Sequence, residues 1–122
     1  MTDNGLRVLA VPAEGAPIGD ESAALDVVGD ALGVGAQVVS IPVARLAPEF
    51  FRLRSGVAGA VTAKFATYRL RLVVVGDPAL HGPPTGPVED WMREANRGRA
   101  LWFVADDAEL ERRLEAEGQP PA

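Results

Sequence analysis

Apolar positions in this chain fall into short runs and helical stripes that alternate from one end to the other. Leu6-Arg-Val-Leu-Ala-Val-Pro12 is rich in apolar residues and closes on a proline, which predicts a strand. After a loop from Ala13 to Gly19, Asp20 or Ser22 caps a predicted helix to about Leu32, with Ala24, Leu25, Val28 and Leu32 at spacings of three and four. Gly33 or Gly35 ends it. Gln37-Val-Val-Ser-Ile-Pro42 predicts a second strand, again stopped by proline. Val43 to Arg54 is less regular and is expected to be loop with a short helical turn. Ser55 caps a helix to about Thr67, whose core face carries Val57, Val61, Phe65 and, at its end, Tyr68.

Leu70-Arg-Leu-Val-Val-Val-Gly76 is the most nearly continuous apolar run, the pattern of a central strand covered by helices on both faces. Asp77 to Pro87 holds four prolines and two glycines, which predicts a long irregular loop before a helix over about Val88 to Asn96, closed by Asn96 to Gly98. Ala100-Leu-Trp-Phe-Val104 is a fourth strand. Asp106 caps a last helix through about Glu117, with Glu109 and Arg113 placed to pair four residues apart, and Gly118 to Ala122 is a frayed tail. Strands alternating with helices predict an α/β fold. The expectation is one small domain, ordered from about 6 to 117, with a largely parallel sheet of four or five strands and flanking helices.

A length of 122 residues with 48% hydrophobic and 24% charged residues suits one domain with its own core. The chain has no cysteine, which excludes a disulfide framework, thiolate metal sites and a cysteine nucleophile and fits a cytoplasmic location. No secretory pattern opens the sequence, and no apolar stretch approaches the roughly 20 residues of a membrane span. The net charge of −5 argues against general nucleic-acid affinity. That average conceals a basic middle, in which Arg45, Arg52, Arg54, Lys64, Arg69 and Arg71 are opposed only by Glu49.

Ligands of open α/β sheets sit beyond the carboxyl ends of the strands. Asp77 follows the central strand there, with His81, the chain's only histidine, four residues later; the two form either an acid/base pair or simply a turn. With one histidine and no cysteine, no metal site and no cofactor is expected. Gly33-Val-Gly35 lies between helix and strand, the reverse of a dinucleotide fingerprint, and no Walker sequence is present. Ser55 and Gly56 open a helix beside Arg52 and Arg54, where free amides and guanidinium groups suit an anion, or where small residues let the helix press on the sheet. Lys64, the only lysine, is a candidate nucleophile or base if desolvated, and otherwise a helical surface residue. Trp91, Met92, Trp102 and Phe103 suit core or interface.

Three stretches, Pro48-Glu-Phe-Phe-Arg-Leu-Arg-Ser-Gly56, Lys64-Phe-Ala-Thr-Tyr-Arg-Leu-Arg-Leu-Val-Val-Val-Gly-Asp77 and Trp91-Met-Arg-Glu-Ala-Asn-Arg-Gly98, resemble bacterial proteins grouped as domain of unknown function 4180. The resemblance spans roughly Asp20 to Leu114 and implies a small α/β domain of STAS-like design. It carries over onto Phe50, Phe51, Leu53, Gly56, Lys64, Phe65, Tyr68, Gly76, Asp77, Asn96 and Gly98. The chain departs from the family pattern after Asp77, where Pro78-Ala-Leu-His-Gly-Pro-Pro-Thr-Gly86 replaces a hydroxyl- and aromatic-containing stretch.

The expectation for function is a non-catalytic regulatory domain that binds a protein partner or small molecule through Phe51, Arg52, Arg54, Ser55, Gly56 and the loop after Gly76. The alternative is a small-molecule-binding protein or small enzyme with a strand-end pocket built from Lys64, Tyr68, Asp77, His81 and Asn96. A purely structural oligomer, such as a homodimer, is a third reading, should Trp91 or Trp102 face outward.

Overall fold

Hydrophobic runs become strands and the stripes between them become helices, in the order β1 (Thr2–Asp3), β2 (Leu6–Ala10), α1 (Glu21–Gly33), β3 (Val38–Pro42), α2 (Val57–Thr67), β4 (Arg71–Val75), α3 (Gly86–Arg97), β5 (Leu101–Val104) and α4 (Asp107–Gly118). This computed structural model describes residues 2–3 and 6–118. The expected frayed tail lies outside the described residues, except Gly118, which ends α4. The sheet order is β1-β2-β3-β4-β5. β2 to β5 run parallel in the register Val8 to Val38, Val38 to Arg71 and Leu72 to Leu101, while β1 pairs antiparallel with β2 and is the fifth strand. The fold is therefore α/β, with four parallel strands flanked by helices, as the alternation predicts.

Strand order equal to chain order has a strong consequence. Parallel crossovers share one hand, so α1, α2 and α3 all fall on one face of the sheet, where residues of all three pack on one core. That face holds the larger core, where Ala24, Val27, Val28 and Ala31 of α1 and Ala58, Val61 and Phe65 of α2 meet Val39, Ile41, Leu72, Val74 and Phe103. Among the described residues α4 stands alone on the other face, burying Leu110 and Leu114 against Val8, Val38, Val73, Trp102 and Val104.

Local signals explain most boundaries. The Asp20 carboxylate accepts from Ala23 N at 2.8 Å and caps α1. Gly35, at φ +70, turns the chain back toward β3 in the left-handed conformation that glycine adopts without strain. Several readings need correction. The buried face of α1 is Ala24, Val27, Val28 and Ala31, and Leu25 and Leu32 are exposed. Gly56, at φ +76, is the N-cap of α2, although the Ser55 hydroxyl still accepts from Val57 N at 3.2 Å. Tyr68 is exposed at the end of α2. The loop after β4 is shorter than expected, because Pro78–His81 forms a 3-10 turn and α3 starts at Gly86. No helix among the described residues is long and apolar enough to cross a membrane.

Glu109 and Arg113 do not pair; each has a stronger partner. Glu109 Oε1 accepts from Ala105 N at 2.6 Å, and the Arg113 guanidinium lies 3.9 Å from the Trp102 ring centroid. Arg71 covers the same ring at 4.5 Å, so a buried indole is held between two cations. Glu117 completes the fastening of α4, accepting from Arg71 and from Arg99 at 2.8 Å each. Burial raises the Glu117 carboxyl, but the hydrogen bonds from Arg99 and Arg71 outweigh it and hold the group below its ordinary value.

A carboxyl with a depressed folded-state pKa stabilises above its unfolded pKa, and that contribution is lost as pH falls through the folded value. Glu117→Gln is therefore expected to lower stability by about 1 kcal/mol near neutral pH, with the gap to the parent closing on acidification below about pH 4. Urea denaturation of both proteins at neutral and acid pH measures this, and a gap that persists in acid contradicts the clamp.

Candidate functional site

The loops beyond the carboxyl ends of β3 and β4 converge on each other. After Pro42 the chain makes three successive 3-10 turns, Val43–Arg45, Pro48–Phe51 and Leu53–Ser55. Proline at the start of the second turn fixes its entry, and Phe50 anchors it in the core with no exposed surface. The adjacent Phe51 ring, partly buried, stacks on His81 from the β4 loop at a centroid distance of 5.7 Å. Phe50, Phe51, Trp91 and Phe103 continue this contact as a chain of tilted and edge-on rings down to the sheet.

His81 and Asp77 are both tied to backbone. His81 Nε2 lies 2.8 Å from the carbonyl oxygen of Val43, and since a carbonyl only accepts, Nε2 carries the proton and donates. Asp77 Oδ1 accepts from Ala79 N at 2.9 Å, the bond of a capped turn. Among the described residues no hydrogen bond or ion pair joins Asp77 to His81. No group of three or more His, Asp or Glu side chains there is placed to hold a metal ion. Beside Asp77, a cleft of about 410 Å³ is lined by Gly76, Asp77, Pro78, Met92, Phe103, Val104 and Ala105.

The other candidates separate. Lys64 pairs with Glu21 at 3.5 Å on the helical surface. Tyr68 precedes β4 whereas Asp77 follows it, so a five-residue strand of roughly 3.3 Å per residue stands between them and they line no common pocket. Asn96 serves the sheet edge: its Oδ1 accepts from Phe103 N at 2.7 Å and its Nδ2 donates to Phe103 O at 3.2 Å. The amide thus pairs the outward backbone groups of the edge strand β5. Ser55 donates to Glu49 O at 2.7 Å and also engages Val57 N, one of the amides that an anion at this helix start would need. Trp102 and Phe103 are buried and Trp91 is partly so.

What remains available is cationic. In the basic middle of the chain, Arg45 donates to the carbonyls of Pro12, Glu14 and Ala16 and organises that loop. Lys64 and Arg71 have the acidic partners already described. The side chains of Arg52 and Arg54 are exposed and have no hydrogen bond or ion pair among the described residues. Both line a groove of about 410 Å³ whose other walls are Phe51, Leu53, Thr85, Pro87 and Val88. A second groove of about 220 Å³ shares Phe51, Arg52 and Thr85 and adds His81 and the prolines Pro48, Pro78, Pro83 and Pro84. Leu53 and Leu80 project beside them, 40% and 62% exposed. Thr85 and Pro87 come from the loop after Gly76 that the sequence already implicates, and Val88, from the first turn of α3, is the wall that sequence reasoning missed.

The chain matches the family model described as Domain of unknown function (DUF4180) over residues 3–114, and it belongs to that family. No curated protein matches it, and no solved structure does.

Removing the Asn96 amide leaves two backbone groups of β5 unpaired. Asn96→Ala is expected to destabilise the fold by about 1–3 kcal/mol, measured by denaturant titration. Unchanged stability would mean that the edge is satisfied some other way.

Proposed function

We propose that this member of the domain of unknown function 4180 family is a non-catalytic, regulatory partner-binding domain. Its contact surface is the joined strand-end turns around Phe51 and His81. The observation that carries this reading is the pair of unpartnered arginines, Arg52 and Arg54, flanking the exposed Leu53 over a groove with an apolar floor. Unpaired guanidinium groups beside an anchor pocket suit a protein segment that brings carboxylates and one buried apolar side chain. The Nε2–H of His81, donating to Val43 O, ties the two loops together, and the Asp77 carboxylate caps the turn that presents His81; both are positioning roles that a preformed contact surface requires.

A photo-crosslinker in place of Leu53, expressed in the native host, is expected to capture a discrete protein, and Arg52→Glu with Arg54→Glu to abolish the adduct. Failure to capture one, or an adduct indifferent to charge reversal, would overturn the proposal. A small molecule retained in a native mass spectrum would instead favour the ligand reading, seated in the cleft between Gly76 and Ala105.

A further inference from the structure

One helix does not cover four strands. Parallel strands are spaced about 4.8 Å apart, and a helix with its side chains is about 10–12 Å across. α4 therefore leaves part of its face of the sheet open. The open part lies at the carboxyl ends of β2 and β3, where a cavity of about 300 Å³ is lined by Val8, Ala10 and Ser40 of the sheet and Asp107, Leu110 and Glu111 of α4. That volume is at the small end of ligand pockets.

Three features of its lining have no structural partner. Ser40 is only 4% exposed and is the one buried polar residue of the described core. Val39 and Ile41 point into the three-helix core and Val38 into the α4 core, so alternation aims Ser40 at the α4 side. Its hydroxyl has no hydrogen bond among the described residues. A valine there would fill the space and suit the strand better.

Asp107 and Glu111 are the second and third features. Four acids crowd the start of α4, and two of them cap it: Asp106 Oδ1 accepts from Glu109 N at 2.8 Å, and Glu109 Oε1 accepts from Ala105 N. Asp107 and Glu111 are exposed and have no ion pair among the described residues. They stand four residues apart on one side of the helix, where like charges repel. The helix dipole favours Asp107 in the first turn but does little for Glu111 in the second.

We propose that this cavity binds a small amino alcohol or a closely similar molecule. Its protonated amine sits between the Asp107 and Glu111 carboxylates, its apolar stem lies on Val8, Ala10 and Leu110, and its hydrogen-bonding oxygen meets the Ser40 hydroxyl. The cation removes the repulsion between the two carboxylates, the oxygen gives the Ser40 hydroxyl a partner, and the stem fills the corner that α4 leaves open. The same chemistry on a lysine side chain lacks the terminal oxygen, which separates the two sources.

The test is a titration of the full chain with 5-amino-1-pentanol, followed by amide chemical shifts. Saturable shifts at Val8–Val11, Ser40 and Asp107–Glu111 are expected. Asp107→Asn with Glu111→Gln, both surface changes, is expected to weaken binding about tenfold or more. Ser40→Ala is expected to weaken 5-amino-1-pentanol while leaving hexylamine unchanged. No saturable shift at millimolar ligand, equal binding of 6-hydroxyhexanoate, or affinity unaffected by the double substitution would overturn the proposal.

Discussion

The order of the strands governs nearly everything else in this molecule. A sheet laid down in chain order, with every crossover of one hand, sends α1, α2 and α3 to the same side. The other side is left to α4, the last helix, and its attachment must do what three helices do opposite. The arrangement around Trp102 is the answer to that problem. A ring clamped between Arg71 and Arg113 contributes burial area and two cation–π contacts at one point, and its Nε1 donates to Gly98 O at 2.8 Å, so the indole has no unpaired group. Glu117 then holds Arg71 and Arg99 together.

The same asymmetry separates the two regions where chemistry is concentrated. On the three-helix side the strand-end loops are packed by aromatic rings, from Phe103 in the sheet through Trp91 and Phe50 to Phe51 and His81. The side chains of Ser55, Asp77 and His81 there are bonded to backbone, which leaves exposed arginines as the available chemistry. On the α4 side the side chains of Ser40, Asp107 and Glu111 have no protein partner among the described residues, and the surface is concave. A satisfied, cation-rimmed surface suits a macromolecular partner. An unsatisfied, acid-rimmed cavity suits a small cation. Local charge thus follows local packing in both places.

Much of the fold is legible in the sequence because its signals are local. Prolines stop β3 and open the turn at Pro48, Asp20 and Asp106 cap helices, and the Leu-Val-Val-Val run of β4 is apolar on both sides because both sides are covered. The two-residue β1 offers too short a pattern to recognise. In α1 a spacing of three and four admits two stripes, one with Leu25 and Leu32 and one with Val27 and Ala31. Side-chain volume decides between them, since α1 and α2 pack against each other, and the smaller residues allow the closer approach. The Glu109–Arg113 pairing fails for a related reason. A surface ion pair is worth a few tenths of a kcal/mol, whereas a guanidinium over a buried indole contributes up to about 2. For the candidate site the sequence places Asp77 and His81 side by side, yet what determines His81 is the Val43 carbonyl, 38 residues away. No local pattern carries such a contact.

The corner beside Ser40 is where the sequence departs from the rules it follows elsewhere. Throughout the rest of the described core, buried positions of the strands are apolar, and the helix start at Asp106 uses its acids to satisfy backbone amides. At this corner a hydroxyl replaces a β-branched residue, a small alanine stands where a larger side chain would close the gap, and two uncompensated carboxylates face the same opening. Each choice alone is a minor loss of stability. Their coincidence at one cavity, at the strand ends where α/β sheets bind ligands, is difficult to account for by packing. Several such departures gathered around one cavity are the mark of a functional constraint. The three polar groups also specify complementary features of one molecule, a cation at the rim and a hydrogen-bonding oxygen at the floor.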